Sequence, residues 1–330
     1  MSGSARRWLA PLVPLYRLGL AVRERYLASR PEAIRKLEWP AVSIGNLSTG
    51  GTGKTPLTIA LARAFVARGM HVDVLSRGYG RAGSGTVWVQ EEDSAQHVGD
   101  EPVLIARQAG VPVFVDRERY RAGLLAEVQQ RPDGLAVHLL DDGFQHRQLH
   151  RDVDILLLNR RDWRDTLLPA GNLREKLSAV KRADVVAIPA DEPELEIGLR
   201  DSGWQGQIWK LWRRMEIPTM NGPAIAFCGI ARPEQFFAGL EAAGVRLTRK
   251  ISFPDHHQYT EKDLKRLTEI MRSTGATTLL TTDKDHARLG RMADDLLLRT
   301  VGLRTVIEDE AAALAWLLER LKSSKKNREI

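Results

Sequence analysis

One stretch decides most of what this chain can fold into. The short apolar run Ala41-Val42-Ser43-Ile44-Gly45-Asn46 leads into Leu47-Ser48-Thr49-Gly50-Gly51-Thr52-Gly53 and then Lys54-Thr55. Closely spaced glycines let successive backbone N–H groups turn inward onto an anion, a lysine there reaches terminal phosphates, and the threonine hydroxyl can ligate Mg²⁺. The next residues, 56–65, read as a helix whose N-terminal dipole faces the same anion. Strand, loop and helix thus stand in the order a phosphate-binding loop requires. Ser48 occupies the place where the pattern Gly-x-x-x-x-Gly-Lys-Ser/Thr has its first glycine. The expected nucleotide-binding residues are Ser48, Thr49, Gly50, Gly51, Thr52, Gly53, Lys54 and Thr55.

A chain of 330 residues exceeds the usual size of one core, so two domains are expected. Its 49 Lys+Arg against 42 Asp+Glu leave a net charge of +7, which suits nucleic acid, anionic lipid or a phosphorylated substrate without choosing among them. The single cysteine, Cys228, rules out an intramolecular disulfide and fits a reducing compartment. Within Ala224-Ile225-Ala226-Phe227-Cys228 it reads as an inert strand residue.

The N-terminal apolar run holds two prolines and Arg17, so it falls short of the ~18–20 uninterrupted apolar residues that span a bilayer. From Leu15 on, Leu15, Leu18, Val22 and Tyr26 share one helical face, Arg17 and Glu24 lie opposite, and Arg6, Arg7, Arg23 and Arg25 add positive charge. Such a helix suits an anionic membrane surface; the alternative is that it packs on the domain.

Downstream, apolar strands at 71–75, 111–115, 135–140, 153–158 and 183–188 alternate with helical stretches, notably 101–108 and 119–130. This alternation implies an α/β phosphate-loop nucleoside-triphosphatase domain with a mostly parallel sheet. Around Trp204, Trp209 and Trp212 the pattern changes and a hinge is expected. A second, smaller α/β series then follows, with a late strand near 304–307, a helix at 310–321 and a frayed tail at 322–330. The expected division is 1–30 for the membrane-docking helix, 31–203 for the phosphate-loop domain, 204–222 for the hinge and 223–330 for the smaller C-terminal α/β domain.

Several stretches carry chemistry. The strand at 135–140 delivers Asp141-Asp142 at its carboxyl end, where an open parallel sheet places its ligand crevice. A carboxylate there pairs logically with Thr55 in holding Mg²⁺; the plainer reading is a solvated acidic turn before Gly143. Ser76-Arg77-Gly78-Tyr79-Gly80-Arg81 and Leu168-Pro169-Ala170-Gly171-Asn172-Leu173-Arg174-Glu175 put arginine beside glycine, a fit for clamping phosphate or sugar. In Gly99-Asp100-Glu101-Pro102 the residues alone favour a helix cap at Asp100. Phe253-Pro254-Asp255-His256-His257 matches no zinc spacing, and His138, His146 and His150 read as structural.

Taken in order, these motifs resemble the tetraacyldisaccharide 4′-kinase (lipid A 4′-kinase) family of Gram-negative bacteria. The resemblance runs from Gly45-Asn46-Leu47 and Gly50–Pro56 through Arg77-Gly78-Tyr79-Gly80-Arg81, Gly99–Pro102, Asp141-Asp142-Gly143-Phe144-Gln145-His146, the 168–175 stretch and Phe253-x-Asp255-His256 to Thr281-Thr282-Asp283-Lys284-Asp285. It departs at Asn172 and Lys176, where the family commonly has proline. The resemblance implies ATP- and Mg²⁺-dependent phosphorylation of the 4′-hydroxyl of a tetraacylated glucosamine disaccharide 1-phosphate, giving lipid IVA. It assigns catalysis to Asp100, His256 and Lys54, with His256 preferred over His257, and metal binding to Thr55, Asp141, Asp142 and Glu175. Substrate contacts fall to Arg77, Tyr79, Gln145 and Arg174. The implied partners are the glycolipid and an anionic inner-membrane surface at its cytoplasmic face, met as a peripheral or monotopic protein; neither nucleic acid nor an obligatory protein partner is expected. The alternative function is a membrane-associated partitioning-type ATPase, although Thr49 stands where those proteins usually carry lysine.

Overall fold

The computed structural model describes residues 3–90, 92–132, 134–293 and 296–326. Met1 and Ser2 of the expected docking segment, the Arg7 side chain and the tail 327–330 lie outside the described residues. A 3₁₀ helix, Gly3–Leu12, runs into α1 (Val13–Ala28). Next come β1 (Ala41–Asn46), α2 (Lys54–Val66), β2 (His71–Ser76), β3 (Val87–Trp88), α3 (Ala95–Val98), α4 (Asp100–Ala109), β4 (Val113–Val115), α5 (Arg119–Gln129) and β5 (Ala136–Asp141). They are followed by β6 (Val153–Leu157), α6 (Arg160–Arg164), β7 (Val185–Pro189), α7 (Glu194–Asp201) and β8 (Gln207–Glu216). The last part holds β9 (Ala224–Cys228), α8 (Pro233–Ala242), β10 (Leu247–Ser252), α9 (Glu261–Thr274), β11 (Thr278–Thr282), α10 (Asp283–Leu289), β12 (Leu298–Ile307) and α11 (Glu310–Lys326).

The strands form a twelve-stranded sheet in the order β10-β9-β11-β12-β8-β7-β6-β1-β5-β2-β4-β3. Neighbours are parallel except at β12–β8 and β3–β4. The central strands β1, β5 and β6 are buried at every position, as a parallel sheet covered on both faces requires. On one face α2, α4 and α11 close over Val42, Ile44, Val72, Val137 and Ile155; on the other α5 covers Leu75, Phe114 and Leu140. His138 is wholly buried on β5 between Asp73, at 2.8 Å, and Glu127, at 3.2 Å. Burial opposes its charge, but the two carboxylates outweigh that and push it up to about 9, so it is a structural histidine.

The stretch 204–222, expected as a hinge, is largely strand. β8 pairs in parallel with β7 and antiparallel with β12, Thr305 opposite Arg213. Trp209 and Leu211 are buried, and Trp212 between β8's bonding partners is exposed. Trp209 and Trp212 therefore mark strand alternation, while Trp204 lies before β8, buried against Leu195 and Leu199, and the antiparallel pair carries the sheet from the first half into the second. The late strand begins at Leu298, not 304, and the helix expected to end at 321 continues through Lys326. Cys228 is buried, and burial, reinforced by Asp285, pushes its thiol up to about 12, consistent with an inert residue.

α1 has two faces. Val13, Tyr16 and Leu20 pack against the cluster formed by β6, β7 and the 167–183 loop. Leu15, Leu18, Val22 and Tyr26 are exposed, at 50–68% of their surfaces. Both sequence readings of this helix thus find a face. Among the described residues no helix is long and apolar enough to cross a membrane.

Candidate active site

At the carboxyl end of β1 the chain leaves the sheet and is pinned before it reaches the glycines. Thr49 N–H donates to Asn172 O at 2.8 Å, Arg174 N–H to Leu47 O at 2.6 Å, and Ser48 bridges to Leu173. The 168–175 stretch is therefore the wall of the phosphate loop. Gly53 precedes α2 with φ +98°, a conformation that side chains avoid. Arg213 on β8 donates to Thr52 O, and its guanidinium lies 3.1 Å from where a Gly53 Cβ would stand.

The charged groups on this side already face one another. Lys54 Nζ lies 3.7 Å from Asp142 Oδ1. Arg174 grips the same carboxylate with two bonds, 2.9 and 2.8 Å. Burial would raise Asp142, yet Lys54 and Arg174 outweigh it and hold the carboxylate well below its usual range. Asp141, fully buried, accepts from Thr58 Oγ1 at 3.3 Å. Burial, with repulsion from Glu101, pushes it up to about 7 against the pull of Lys54.

Thr55, Asp141 and Asp142 are hard oxygen donors at the start of α2 and the end of β5, the donor chemistry Mg²⁺ prefers. Glu175 is turned elsewhere: its Oε2 accepts from Arg182 at 2.7 Å and its buried Oε1 has no partner. Among the described residues no three carboxylate, histidine or cysteine side chains make a ready metal nest. The oxygen pair and hydroxyl fit a metal that phosphate oxygens and water would complete.

The second cluster is built across the two halves. A side chain at Gly78, φ +65°, would meet Val115, Arg81 and the Val98 carbonyl at 2.4–2.9 Å, and one at Gly99 would meet Gly78 Cα at 3.2 Å, so the Arg77–Arg81 loop sits directly on the start of α4. Asp100 is the first residue of that helix, and its Oδ1 accepts from the helical N–H of Glu101 at 3.1 Å. Gly99 holds the cap position without a side-chain bond, and Asp100 Oδ2 points across the seam. There it accepts from Arg288 Nη2 at 2.6 Å and Nε at 3.1 Å, with His256 Nδ1 at 3.3 Å. Arg288 Nη1 also donates to Gly229 O at 2.6 Å and Asp285 Oδ1 at 3.1 Å, and Nη2 lies 3.3 Å from His256 Nδ1. Beside them Lys284 pairs with Glu101 at 2.7 Å.

Burial alone would raise Asp100, but the His256 bond and the charges of Arg288 and Lys284 hold it far below the usual carboxylate range. The same bond raises His256 against burial. His257 faces away, toward Asp263 at 3.2 Å. His256 (φ 59°) and Asp142 (φ 52°) are the non-glycine residues with positive φ among the described residues. Such backbone is uncommon outside glycine and clusters at functional sites.

Of the expected substrate residues, Tyr79 is 71% exposed with its ring 5.9 Å from that of His256. Arg77 is exposed on the same loop, and Arg174 is committed to Asp142. Gln145 donates to Asn46 O at 2.9 Å. His146, read as structural, sits among Arg119, Arg151 and Arg77; burial and those charges lower it to about 3. Sequence reasoning assigned no role to Arg119, Arg213, Lys284 or Arg288. For Arg288 a signal existed: it follows Asp285 by three residues, so the two share a face of the helix opened by the Thr281–Asp285 motif.

A family model described as tetraacyldisaccharide-1-P 4′-kinase matches residues 5–322. A tetraacyldisaccharide 4′-kinase of Koribacter versatilis is 38% identical over 315 residues, covering 92% of this chain and 96% of that protein. One from Geobacter metallireducens is 40% identical over 293 residues, covering 82% and 85%. Among solved structures, LpxK from Aquifex aeolicus in complex with ATP superposes with a TM-score of 0.77 at 32% identity, covering 96% of this chain and 99% of that one.

Proposed function

The chain belongs to the tetraacyldisaccharide-1-P 4′-kinase family, and from that membership we propose that it transfers the γ-phosphate of ATP to the 4′-hydroxyl of a tetraacylated glucosamine disaccharide 1-phosphate, yielding lipid IVA. The observation that carries this reading is the Asp100–His256 pair, 3.3 Å apart, set beside a phosphate loop. Glu101, next to Asp100, is close enough to Lys54 for their charges to interact. A partitioning-type ATPase has no need of such a pair.

Lys54 and the loop N–H groups bind and orient the phosphates, and Lys54 stabilises charge developing on the transferred group. A Mg²⁺ bound by Thr55, Asp142 and Asp141 would neutralise phosphate charge there. Asp100 accepts the proton of the attacking hydroxyl. A carboxylate held this far below its usual range is a weak base, but a loose phosphoryl transition state asks for proton removal only late. His256, with 45% of its side chain exposed, orients the carboxylate and offers the proton a way to solvent.

The exposed face of α1 supplies the docking surface for the cytoplasmic leaflet of the inner membrane, with Arg23 and Arg25 adding attraction to anionic lipid. Incubation with radiolabelled ATP and the lipid disaccharide, resolved by thin-layer chromatography, should move label onto the lipid; label released only as free phosphate would sink the kinase reading. Leu15→Ser, Leu18→Ser and Val22→Ser together should lower sedimentation with anionic vesicles on the order of tenfold or more, leaving ATP binding intact. Unchanged sedimentation would mean that the helix only packs on the domain.

A further inference from the structure

Lys284 stands where the two clusters of the site meet. Its ammonium donates to Glu101 at 2.7 Å, its one hydrogen-bond partner among the described residues, so two of its three N–H donors are unspent. Burial would lower Lys284, but the charges of Glu101, Asp100 and Asp141 outweigh it and raise it. Lys54, on the loop side, acts on Glu101, Asp141 and Asp142. Glu101 and Asp141 thus feel both ammonium groups. The space the two lysines share lies between the phosphate loop and Asp100, on the path of a phosphoryl group moving from the loop to a hydroxyl held at Asp100. With 29% of its side chain exposed, Lys284 is open to a ligand there.

The backbone that carries this lysine is fixed on both sides. Gln108 of α4 donates to Asp283 Oδ2 at 2.6 Å across the seam. Asp285, fully buried, accepts from the Gly229 N–H at 3.0 Å, Tyr259 Oη at 2.9 Å, Arg288 at 3.1 Å and Thr282 Oγ1 at 2.7 Å. From this anchored turn a flexible four-carbon stem leaves the charge itself free to swing. A mere clasp between α10 and α4 explains the Lys284–Glu101 pair poorly. The bonds of Arg288 to Asp100 and of Gln108 to Asp283 already make that join, and an ion pair with both side chains more than a quarter exposed adds little to it.

We propose that Lys284 is a further catalytic residue, whose ammonium turns from Glu101 onto the transferred phosphoryl group and holds it from the acceptor side while Lys54 holds it from the loop. The assignment deepens the phosphotransfer reading above and rests on it. In the transfer the bond from phosphorus to the ADP oxygen breaks as the bond to the acceptor oxygen forms, the hydroxyl proton passes to Asp100, and Lys284 keeps its own. A loose transition state spreads charge over three equatorial oxygens, and a point charge on a flexible stem can follow the group as it moves. Because Lys284 belongs to the second half of the chain, this cation is delivered by the same seam that sets His256 beside Asp100.

The test combines turnover on the lipid disaccharide with calorimetric binding of ADP and Mg²⁺, with and without aluminium fluoride, which mimics the phosphoryl group in flight. Lys284→Met should lower kcat on the order of a hundredfold with KM for ATP unchanged, and Lys284→Arg, which keeps the charge, should recover part of that loss. Wild type should bind the fluoride complex on the order of a hundredfold more tightly than ADP. Lys284→Met should lose most of this gain while binding ADP as before. Glu101→Gln separates the proposed role from a clasp, since it breaks the same ion pair but leaves the ammonium; its kcat should fall about tenfold at most. Equal losses of kcat in Glu101→Gln and Lys284→Met overturn the proposal, as does a fluoride complex bound equally well by wild type and folded Lys284→Met. Tight, Lys284-dependent binding of the fluoride complex with no label reaching the lipid would instead overturn the kinase reading and leave the assignment of Lys284 standing.

Discussion

The phosphate-loop end of the sheet and the seam between its two halves are organised in opposite ways. At the loop, the charged partners come from neighbouring parallel strands and the turns that leave them: Lys54 after β1, Asp142 after β5 and Arg174 from the wall beside them. At the seam, Asp100 on α4 meets Arg288 on α10, 188 residues away in sequence, and His256 from the loop after β10. The charged partners at the loop all come from the first half of the chain. The seam depends on how the two halves are joined, where β8 pairs with β12 and α10 packs on α4. Phosphate binding and hydroxyl activation should therefore separate under mutation.

The largest effect belongs to the loop. Lys54→Ala removes the ammonium facing the transferred group, a contribution of ~3–4 kcal/mol at comparable electrostatic sites, so kcat should fall on the order of several hundredfold. It should also free Asp142 from one of its two cationic partners without disturbing the fold. Near wild-type turnover at saturating ATP would show that the loop does not do what its geometry suggests.

The seam comes next. Asp100→Ala and His256→Ala should each lower kcat about a hundredfold and leave KM for ATP almost unchanged, because neither residue belongs to the loop. Their bond is 3.3 Å, so the pair acts as a unit and the double variant should lose far less than the product of the single losses. Multiplicative losses would separate the two residues. A raised KM for ATP in either variant would instead break the division between loop and seam.

The same contrast explains what the sequence made legible. Loop residues lie in one strand–turn–helix segment whose spacing carries its own chemistry, and the apolar runs of β1, β5 and β6 announce a buried parallel sheet. Asp100 was harder: its residues alone suggest a cap, and only the ordered set of motifs, read as a family resemblance, tied it to His256. Arg288 could not be placed, since nothing in a local pattern says that an arginine on α10 crosses to α4. The hinge expectation at 204–222 misread Trp209, Leu211 and Trp212, whose spacing is that of a strand with one buried face. Glu175 was expected beside Asp141 and Asp142, but its carboxylate accepts from Arg182 in the 3₁₀ turn 177–182.

Arg288 gives the smallest effect and the sharpest test of the comparison. It touches Asp100 with two nitrogens while being bonded to Gly229 O and Asp285, so it fixes both the position and the charge of the proposed base. The groups facing Asp100 are His256, Arg288 and Lys284 on the lowering side, against burial on the raising side. With the arginine present, the carboxylate stays charged across the working range and does not set an acid limb there. In Arg288→Gln the balance shifts toward burial, the folded-state pKa of Asp100 rises, and protonation as pH falls removes the base. kcat should drop on the order of tenfold near pH 8 and more steeply toward pH 5, with KM for ATP unchanged. Arg288→Lys, which keeps a charge but not the fork, should restore the pH profile more fully than the rate. A variant whose kcat falls by the same factor at every pH would make Arg288 a brace for α10 and no part of the setting of Asp100.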